Sequence, residues 1–529
     1  MITTKITNST KLTKLTKSLW CTSFAIFVFF AIFAVGRDLD AADPGVDQIF
    51  SKWNMSSTPG CAVGAALDGK TVISNGYGMA DLEHAIKITP DTIFEAGSVS
   101  KQFTAAAALL LQRDGKLSID DPVRKYIPEL PDYGTPLTIR HMLTHTSGLR
   151  DWGSLEGIAG WPRTTRAYTH ANVLEIVSHQ KALNFTPGTR WSYSNTGFNL
   201  AAIIVSRVSG KPFADFTRDR LFQPVGMTHT SWRDDYTRVV KNRAMAYVDR
   251  DGDWHTLMPF ENVYGNGGLL TTVGDLLKWN DNFDASKIAD AAFEALQQRT
   301  ATFNDGWPLG YAFGLFDTTV NGIHIVEHSG STAGYSAHLL RMPDQKVSVA
   351  VLCNATTARA TQYAEAVADT LLPNHANTVA ETAKPLPASR DVWRNTDNGT
   401  VLANAPAGST WTIDGNRVTV IDRYRVPTIF ERTPPASPSV SQLTTLAGTY
   451  TSDEIETTLT VSVRDDGLVV TRRPDATFKL LPLYADAFRA GQLGTIIFRR
   501  DAAGRVVGLT VAEDRVWDLR FTRQWATSH

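Results

Sequence analysis

The chain has 529 residues, of which 43% are hydrophobic and 20% are charged, and its formal net charge at pH 7 is −1. A chain of this length exceeds what one hydrophobic core can organise, so two or more domains are expected. The near-zero net charge and the lack of a basic block in the folded part argue against a nucleic-acid partner.

The first 42 residues have the layout of an export signal. Four lysines precede an uncharged apolar run over residues 19–35, and Asp40-Ala41-Ala42 offers a cleavage site of small residues. We therefore expect residues 1–42 to be a signal peptide, with an uncleaved membrane anchor as the alternative. Both interpretations predict an exported protein, periplasmic or extracellular, whose only membrane contact is this segment.

Two apolar runs follow, Cys61–Leu67 and Thr71–Met79, and the Asp68-Gly69 pair between them predicts a β-hairpin. The three cysteines of the chain do not form a disulfide framework. Cys61 and Cys353 each lie in an apolar strand-like run, so we expect buried free thiols. A bridge between them requires that their two strands be neighbours.

The next element is a helix built almost entirely of strong helix formers. Residues 105–111 are all Ala or Leu, Gly97 precedes the run, and Gly115 follows it, which predicts a buried helix between the glycines. Ser98 and Lys101 are three residues apart at its start and share one face. A partly desolvated lysine at the positive end of a helix is shifted toward its neutral form, which can take the proton of a neighbouring serine.

The remainder of residues 43–372 predicts helices in the middle and three strands near the end, between residues 324 and 354, closed by a helix. This order indicates an α/β (α+β) domain, in which an antiparallel sheet takes strands from both ends of the segment and helices are inserted between them. The polar, proline-bearing segment 373–398 is predicted to be a linker. Residues 399–529 show short alternating strands and no convincing helix, which predicts an antiparallel β-barrel or sandwich of one or two units.

Single motifs in this chain are weak signals. A second Ser-x-x-Lys occurs at Ser178–Lys181, and Tyr-x-Asn occurs at Tyr193–Asn195 and again at Tyr264–Asn266. The first copies carry more weight because of their setting. Ser98–Lys101 opens a buried helix, and Tyr193–Asn195 follows a Pro-Gly turn and precedes another apolar helix.

Taken in order, three segments resemble the motifs of serine β-lactamases and penicillin-binding proteins: Ser98-Val99-Ser100-Lys101, Tyr193-Ser194-Asn195 and His328-Ser329-Gly330. With a tyrosine in the second motif, the chain resembles the class C β-lactamase branch of the family. The relatives in this branch are D-alanyl-D-alanine carboxypeptidases, D-aminopeptidases and carboxylesterases. Residues 141–149 and 265–272 resemble further segments of this family. The resemblance extends from Val46 to Leu372 and implies a β-lactamase/transpeptidase-like domain.

The resemblance implies that Ser98 attacks a carbonyl to form an acyl-enzyme, while Lys101 and Tyr193 share the acid and base work. Neighbouring amines are expected to lower the pKa of that tyrosine. For substrate binding it implies Asn195, His328, Gly330 and Ser331, with backbone N–H groups of Ser98 and Ser331 as the oxyanion hole.

His328 stands where many relatives carry lysine. A histidine is often neutral near pH 7, which weakens its grip on a substrate carboxylate.

The sequence therefore predicts an exported serine hydrolase that cleaves an amide or ester of D-amino-acid type, acting on a small peptide, ester or β-lactam without a cofactor. One alternative is a class C-like β-lactamase, and another is a non-catalytic protein that binds penicillin or wall peptides. A third hypothesis has the β tail supply part of the active-site rim and select substrates. A zinc pair at His141 and His145 is disfavoured because Met142 replaces the glutamate of His-Glu-x-x-His, so no metal site is predicted.

Overall fold

The computed structural model of the chain describes residues 44–163, 165–372, 385–386 and 389–525. The predicted signal or anchor over residues 1–42 lies outside the described residues. In the part of the chain that is described, no helix has both the length and the apolar character needed to cross a bilayer.

Most helices of the described chain lie between residues 100 and 298, and three lie outside this range. The helices are α1 (Pro44–Ile49), α2 (Ser100–Arg113), α3 (Ile139–Leu143), α4 (Trp152–Ala159), α5 (His170–Ser178), α6 (Asn195–Ser209), α7 (Phe213–Thr217), α8 (Gln223–Val225), α9 (Val273–Ala285), α10 (Ala291–Gln298), α11 (Ala360–Leu371) and α12 (Val440–Leu446).

The strands fall into an N-terminal group, a short middle group and a C-terminal group. The first group is β1 (Cys61–Leu67), β2 (Lys70–Tyr77), β3 (Met79–Asp81), β4 (Ile86–Lys87), β5 (Phe94–Glu95), β6 (Ser231–Trp232), β7 (Tyr247–Arg250), β8 (Asp253–Thr256), β9 (Leu269–Thr271), β10 (Phe316–Val320), β11 (Ile323–Thr332), β12 (Tyr335–Met342) and β13 (Val347–Cys353). The second is β14 (Val392–Asn395), β15 (Val401–Leu402), β16 (Thr410–Asp414), β17 (Arg417–Ile421) and β18 (Pro427–Thr433). The third is β19 (Gly448–Ser452), β20 (Thr457–Arg464), β21 (Gly467–Arg472), β22 (Ala476–Tyr484), β23 (Ala487–Arg489), β24 (Thr495–Arg500), β25 (Val506–Glu513) and β26 (Val516–Gln524).

The main sheet is antiparallel, in the order β10-β11-β12-β13-β1-β2. Its strands come from both ends of residues 44–372, as predicted, and the helical region lies between them. Side chains alternate across β1: Ala62 and Ala66 pack in the cluster that contains α2 and α9, while Val63 and Ala65 pack in the cluster that contains α1 and α11. The sheet is therefore covered on both faces, which explains why its strands are apolar throughout.

The expectation of free thiols is wrong. Strands β1 and β13 are neighbours, Cys61 lies directly opposite Cys353, and the two form a disulfide. The apolar character of both strands predicts burial but carries no information on which strands pair, so the bridge was open at the level of sequence.

Helix α2 is buried along nearly its whole length, as predicted. Ser98 itself lies in a 3₁₀ turn, Gly97–Val99, that runs directly into the α-helix at Ser100. The turn still places Ser98 about one helical turn before Lys101. Gly115 ends the helix with a φ of 69°.

The C-terminal strands form two separate sheets. Strands β14–β18 form an open sheet in the order β15-β14-β18-β17-β16, and β19–β26 close into an eight-stranded barrel. Of the two predicted architectures, the barrel is the one observed. Strand β14 lies within 373–398, the segment predicted to be a linker. The sequence pattern did not indicate a strand because it is only four residues long and a single buried tryptophan, Trp393, anchors it among polar neighbours.

Helix α12 was not expected in the all-β region. Its signal is brief: Ser439 and Gln442 form a capping box, and only Leu443 and Leu446 are buried along its seven residues. One apolar pair does not establish a helical period, so the pattern resembles a loop.

Buried polar contacts join the barrel to the helical region. Arg150 pairs with Glu454 at 2.7 Å, and both side chains are almost fully buried. The Thr457 hydroxyl and the Arg473 Nε both donate to the carbonyl of Ala159, at the end of α4. Such contacts are costly to separate because each would leave a buried charge or a buried carbonyl unpaired.

The disulfide can be tested chemically. Under denaturing, non-reducing conditions we expect Cys61 and Cys353 to resist alkylation by iodoacetamide, and to be alkylated after reduction. Reduction is expected to lower the free energy of unfolding by about 2–5 kcal/mol, because the bridge closes a loop of 292 residues. Peptide mass spectrometry and denaturant unfolding measure the two effects. The Cys61→Ala/Cys353→Ala variant is the control, whose stability reduction should not change. Alkylation of both thiols before reduction would contradict the bridge.

Candidate active site

A cavity of about 460 Å³ lies where the Ser98 turn, strand β11 and the segment before α6 meet. Six of the seven residues singled out from the sequence line it: Ser98, Tyr193, Asn195, His328, Gly330 and Ser331. The seventh, Lys101, lies beneath Ser98 with its side chain buried. Residues that are far apart in the sequence are thus brought to one place by the fold.

The Lys101 amine is surrounded by oxygens. Its Nζ lies 3.0 Å from the Ser98 hydroxyl, 2.9 Å from Asn195 Oδ1 and 2.7 Å from the backbone carbonyl of Asn266. The ring of Tyr193 lies on another side, with its centroid 4.7 Å from Nζ. A neutral amine has two N–H groups, which match the two carbonyl acceptors and leave its lone pair for the serine hydroxyl.

Burial determines the protonation states. The pKa of Lys101 is well below its usual value, because the side chain is fully desolvated and the positive charge of Arg515 is close. The expectation of a lowered tyrosine pKa is wrong, since desolvation raises the pKa of Tyr193 by more than its hydrogen bond with Ser98 and the charge of Arg515 lower it. Tyr193 is therefore a protonated phenol beside Ser98, and Lys101 is the group that tends toward its basic form.

Two glycines let the serine turn and strand β11 approach each other. A Cβ added to Gly330 would lie 2.0 Å from the Ala96 carbonyl oxygen and 3.0 Å from the Ser98 backbone nitrogen. A Cβ on Gly97, whose φ is 50°, would lie 2.6 Å from the backbone nitrogen of Ser331. The close approach brings together the backbone nitrogens of Ser98 and Ser331, which both line the cavity and from which the family resemblance implies an oxyanion hole.

The imidazole of His328 is buried, and its Nδ1 lies 2.6 Å from the carbonyl of Ser329. The Tyr311 hydroxyl lies 3.4 Å from Nε2, and Phe316 packs against the ring at 5.2 Å between centroids. Burial lowers the pKa of His328 to about 3. The imidazole is neutral across the physiological range, in agreement with its expected weak grip on an anion.

The Asn195 side chain contacts the proposed base, since its Oδ1 accepts from Lys101, and its expected role in substrate binding stays a prediction for its Nδ2 group. Its backbone N–H donates to Asp151 Oδ2 at 2.7 Å, which fixes the start of α6. His145 also supports this segment, since its Nδ1 accepts from the backbone N–H of Ser194 at 3.1 Å.

The barrel reaches the cavity. The tip of the β25–β26 hairpin carries Arg515, whose guanidinium lies 4.7 Å above the ring of Tyr193 and lines the cavity. The β tail thus supplies part of the rim, as the third hypothesis required. Nothing in the sequence around Arg515 resembles a motif, so sequence analysis missed this residue. It also missed the Asn266 carbonyl contact, although residues 265–272 were recognised as a family segment.

Neither the second Ser-x-x-Lys nor the histidine pair lines the cavity. The Ser178 hydroxyl donates to the carbonyl of Glu175, while the Lys181 amine lies 3.3 Å from Asp453, so this Ser-x-x-Lys is a surface feature. Helix α3 ends at Leu143 and His145 has a positive φ, so the suggested histidine pair does not share a helical face.

The chain is similar to known proteins over much of its length. Residues 46–372 match the family model described as Beta-lactamase. The D-aminopeptidase of Gluconobacter oxydans (strain 621H) is 29% identical over 315 residues, 59% of this chain and 59% of that protein. The chain therefore matches about three fifths of the length of this relative.

Two further matches cover more of the chain. The D-aminopeptidase of Brucella ovis (strain ATCC 25840) is 26% identical over 509 residues, 86% of this chain and 93% of that protein. The structure of the octameric penicillin-binding protein homologue from Pyrococcus abyssi has a TM-score of 0.54 at 23% identity and covers 88% of this chain and 96% of that chain. This structural likeness shows that the two proteins share a fold.

The electrostatics predict a pH profile. The rate with a neutral ester should rise with pH through an acidic limb well below the usual lysine pKa of about 10.4, since only neutral Lys101 accepts a proton. Arg515→Gln removes a charge that lowers this pKa, so the limb should move to higher pH. Arg520→Gln, an exposed residue on the same hairpin, is the control. A limb that Arg515→Gln leaves in place would contradict the assignment.

Proposed function

The chain belongs to the β-lactamase family, and from this premise we propose that it is a serine hydrolase that cleaves an amide or ester bond next to a D-amino-acid residue through an acyl-serine. One observation carries the proposal: the buried Lys101 amine, 3.0 Å from the Ser98 hydroxyl, with both of its N–H directions occupied by carbonyl oxygens. The D-aminopeptidase relatives support the choice of substrate class.

The proposed acylation begins when Ser98 Oγ attacks the substrate carbonyl and its proton passes to Lys101. The N–H groups of Ser98 and Ser331 hold the oxyanion. As the scissile C–N bond breaks, the Tyr193 hydroxyl donates its proton to the leaving nitrogen and regains one from the Lys101 ammonium. The raised pKa of Tyr193 suits this order, because the phenol is protonated when the leaving group departs.

Water then takes the place of the leaving amine. It attacks the acyl carbonyl while its proton passes to Lys101, and the ester bond to Ser98 breaks. The Ser98 alkoxide regains a proton by the same route, so the free enzyme and a carboxylic acid are released. No cofactor enters either half of the reaction.

The alternatives differ in what the site must do. A broad β-lactamase must bind the carboxylate that these antibiotics carry, and the neutral His328 of the third motif offers no charge for it, so another element of the cavity must supply that charge. A non-catalytic binding protein has no need for a depressed lysine pKa beside a serine, and this feature favours an enzyme.

Export is part of the proposal. The lysine-rich start and apolar run of residues 1–42 support it, and the Cys61–Cys353 disulfide is the kind of bond that persists in oxidising compartments. Fractionation of the native host followed by mass spectrometry of the mature N-terminus tests it. We expect the protein outside the cytoplasm. A cytoplasmic protein that begins at Met1 would contradict export.

The nucleophile is tested by labelling. A fluorophosphonate should tag Ser98, and Ser98→Ala should abolish the tag and lower kcat/KM for D-amino-acid amides, dipeptides and short esters by at least about 10³-fold. Ser178→Ala is the matched control, because Ser178 belongs to the second Ser-x-x-Lys and has no amine contact. A tag at another serine, or full activity in Ser98→Ala, would contradict the proposal.

A further inference from the structure

The tip of the β25–β26 hairpin is held rigidly against the active site. The carbonyl oxygen of Arg515 accepts from the backbone N–H of Asp151 at 3.3 Å and from Asn184 Nδ2 at 3.0 Å. The carbonyl oxygen of Asp514 accepts from the Ser192 hydroxyl at 3.1 Å. These contacts come from the segments that flank Tyr193 and α4, so the tip is part of the cavity wall.

The guanidinium of Arg515 carries a charge that no carboxylate of the described residues balances by direct contact. It lies on the Tyr193 ring and lines the cavity, and no salt bridge is formed with it in the described chain. The other arginine that lines the cavity, Arg163, is bound by both carboxylate oxygens of Glu261. Arg515 is thus available to a ligand, and an arginine keeps its charge at every physiological pH.

In the described chain, the acidic groups near the tip form no ion pair with the Arg515 guanidinium. Asp151 accepts from two backbone N–H groups, those of Asn195 and Ser154. Burial and the neighbouring charges of Asp151 and Asp514 raise the pKa of Glu513 to about 7. The Asp514 side chain is exposed to solvent. The hairpin therefore presents a cation to the cavity, whereas His328 presents none.

We propose that Arg515 binds the carboxylate of the residue released from the substrate, so that the preferred substrates end in a free carboxyl group. This inference rests on the proposed hydrolase function and specifies its substrate. Tyr193 is the proposed proton donor to the leaving nitrogen. In an α-amino acid the carboxylate carbon is two bonds from that nitrogen. The carboxylate of the leaving residue is therefore close to Tyr193 and to the Arg515 guanidinium that stacks on its ring. A planar guanidinium is suited to binding it through two parallel hydrogen bonds.

A second cavity, of about 430 Å³, shares two lining residues with the active-site cavity. Tyr193 and Arg515 line both, and the other walls of the second cavity include Asn398 of the β14–β15 turn and Trp517 of the barrel. On this proposal, the side chain of the released residue extends past Arg515 toward this space. Both C-terminal sheets contribute to that space, which gives the all-β region a role in substrate choice.

The test compares substrates that differ only in charge. N-acetyl-D-Ala-D-Ala has a free carboxylate on the leaving residue, its C-terminal amide has none, and N-succinyl-D-Ala-D-Ala-amide has its carboxylate on the acyl side. We expect the wild-type kcat/KM for the first to exceed that for the second and third about ten- to a hundredfold, the range for a charge-assisted hydrogen bond. Equal rates, or a preference for the succinyl compound, would overturn the assignment.

Variants then connect the preference to the arginine. Arg515→Gln should remove the preference for the acid, and Arg515→Lys should retain part of it, because the charge remains without the planar fork. Arg520→Gln, exposed and paired with Asp518, should keep the full preference. The acid-to-amide ratio is the readout, because an effect of Arg515 on Lys101 changes both rates equally. An unchanged ratio in Arg515→Gln would overturn the assignment.

Labelling separates this inference from the function on which it rests. If a fluorophosphonate does not tag wild-type Ser98, the proposed hydrolase itself fails. If Ser98 is tagged, protection from the tag reports binding of each peptide without turnover. The acid should protect the wild type better than the amide does, and Arg515→Gln should remove the difference. Tagged Ser98 with equal protection by the acid and the amide would overturn the role of Arg515 alone.

Discussion

The site depends on the desolvation of one amine. An ammonium group transferred from water to a protein interior costs several kcal/mol when it is not fully compensated. Lys101 avoids this cost by losing its proton, and its surroundings are suited to the neutral form, since the two acceptors belong to Asn195 and Asn266 and neither is a carboxylate. An aspartate at position 195 would stabilise the ammonium and remove the proposed base. The choice of neutral oxygens is therefore as important to the chemistry as the serine itself.

The close packing around that amine explains the glycines and the buried helix. Helix α2 can lie inside the domain because its residues 105–111 are all Ala or Leu, and Gly97 and Gly330 let strand β11 touch the turn that precedes the helix. Within β11, the residue before His328 is the buried Glu327, whose carboxylate contacts His338 of β12 at 3.0 Å and the Tyr424 hydroxyl at 3.0 Å. The strand that carries His328 is thus held by β12 and by the β17–β18 turn of the five-stranded sheet.

The parts of the site that could be predicted are those that local spacing determines. Ser98 and Lys101 are three residues apart at the start of a helix, so their contact follows from helical geometry. Tyr193 and His328 could be assigned only through the order of family motifs, because no local rule joins positions that distant. The disulfide and the lowered tyrosine pKa were mispredicted for a related reason: strand pairing and burial are properties of the assembled fold. Arg515 shows the limit most clearly, since its role depends on how a barrel hairpin packs more than 300 residues after the tyrosine it contacts.

The positive charge that faces the cavity comes from Arg515 and not from His328, which departs from the family pattern of a lysine in the third motif. In the third motif a lysine would place its charge on the strand that also carries Ser331 of the proposed oxyanion hole, so charge and catalysis would share one rigid element. Here that strand carries a neutral, buried imidazole, and the cation that faces the cavity comes from a separate sheet. Substitutions at the hairpin tip can therefore alter which substrate end is bound while the Ser98–Lys101–Asn195 contacts stay in place. The anchoring of the tip through backbone carbonyls supports this separation, because those hydrogen bonds do not depend on which side chain stands at position 515.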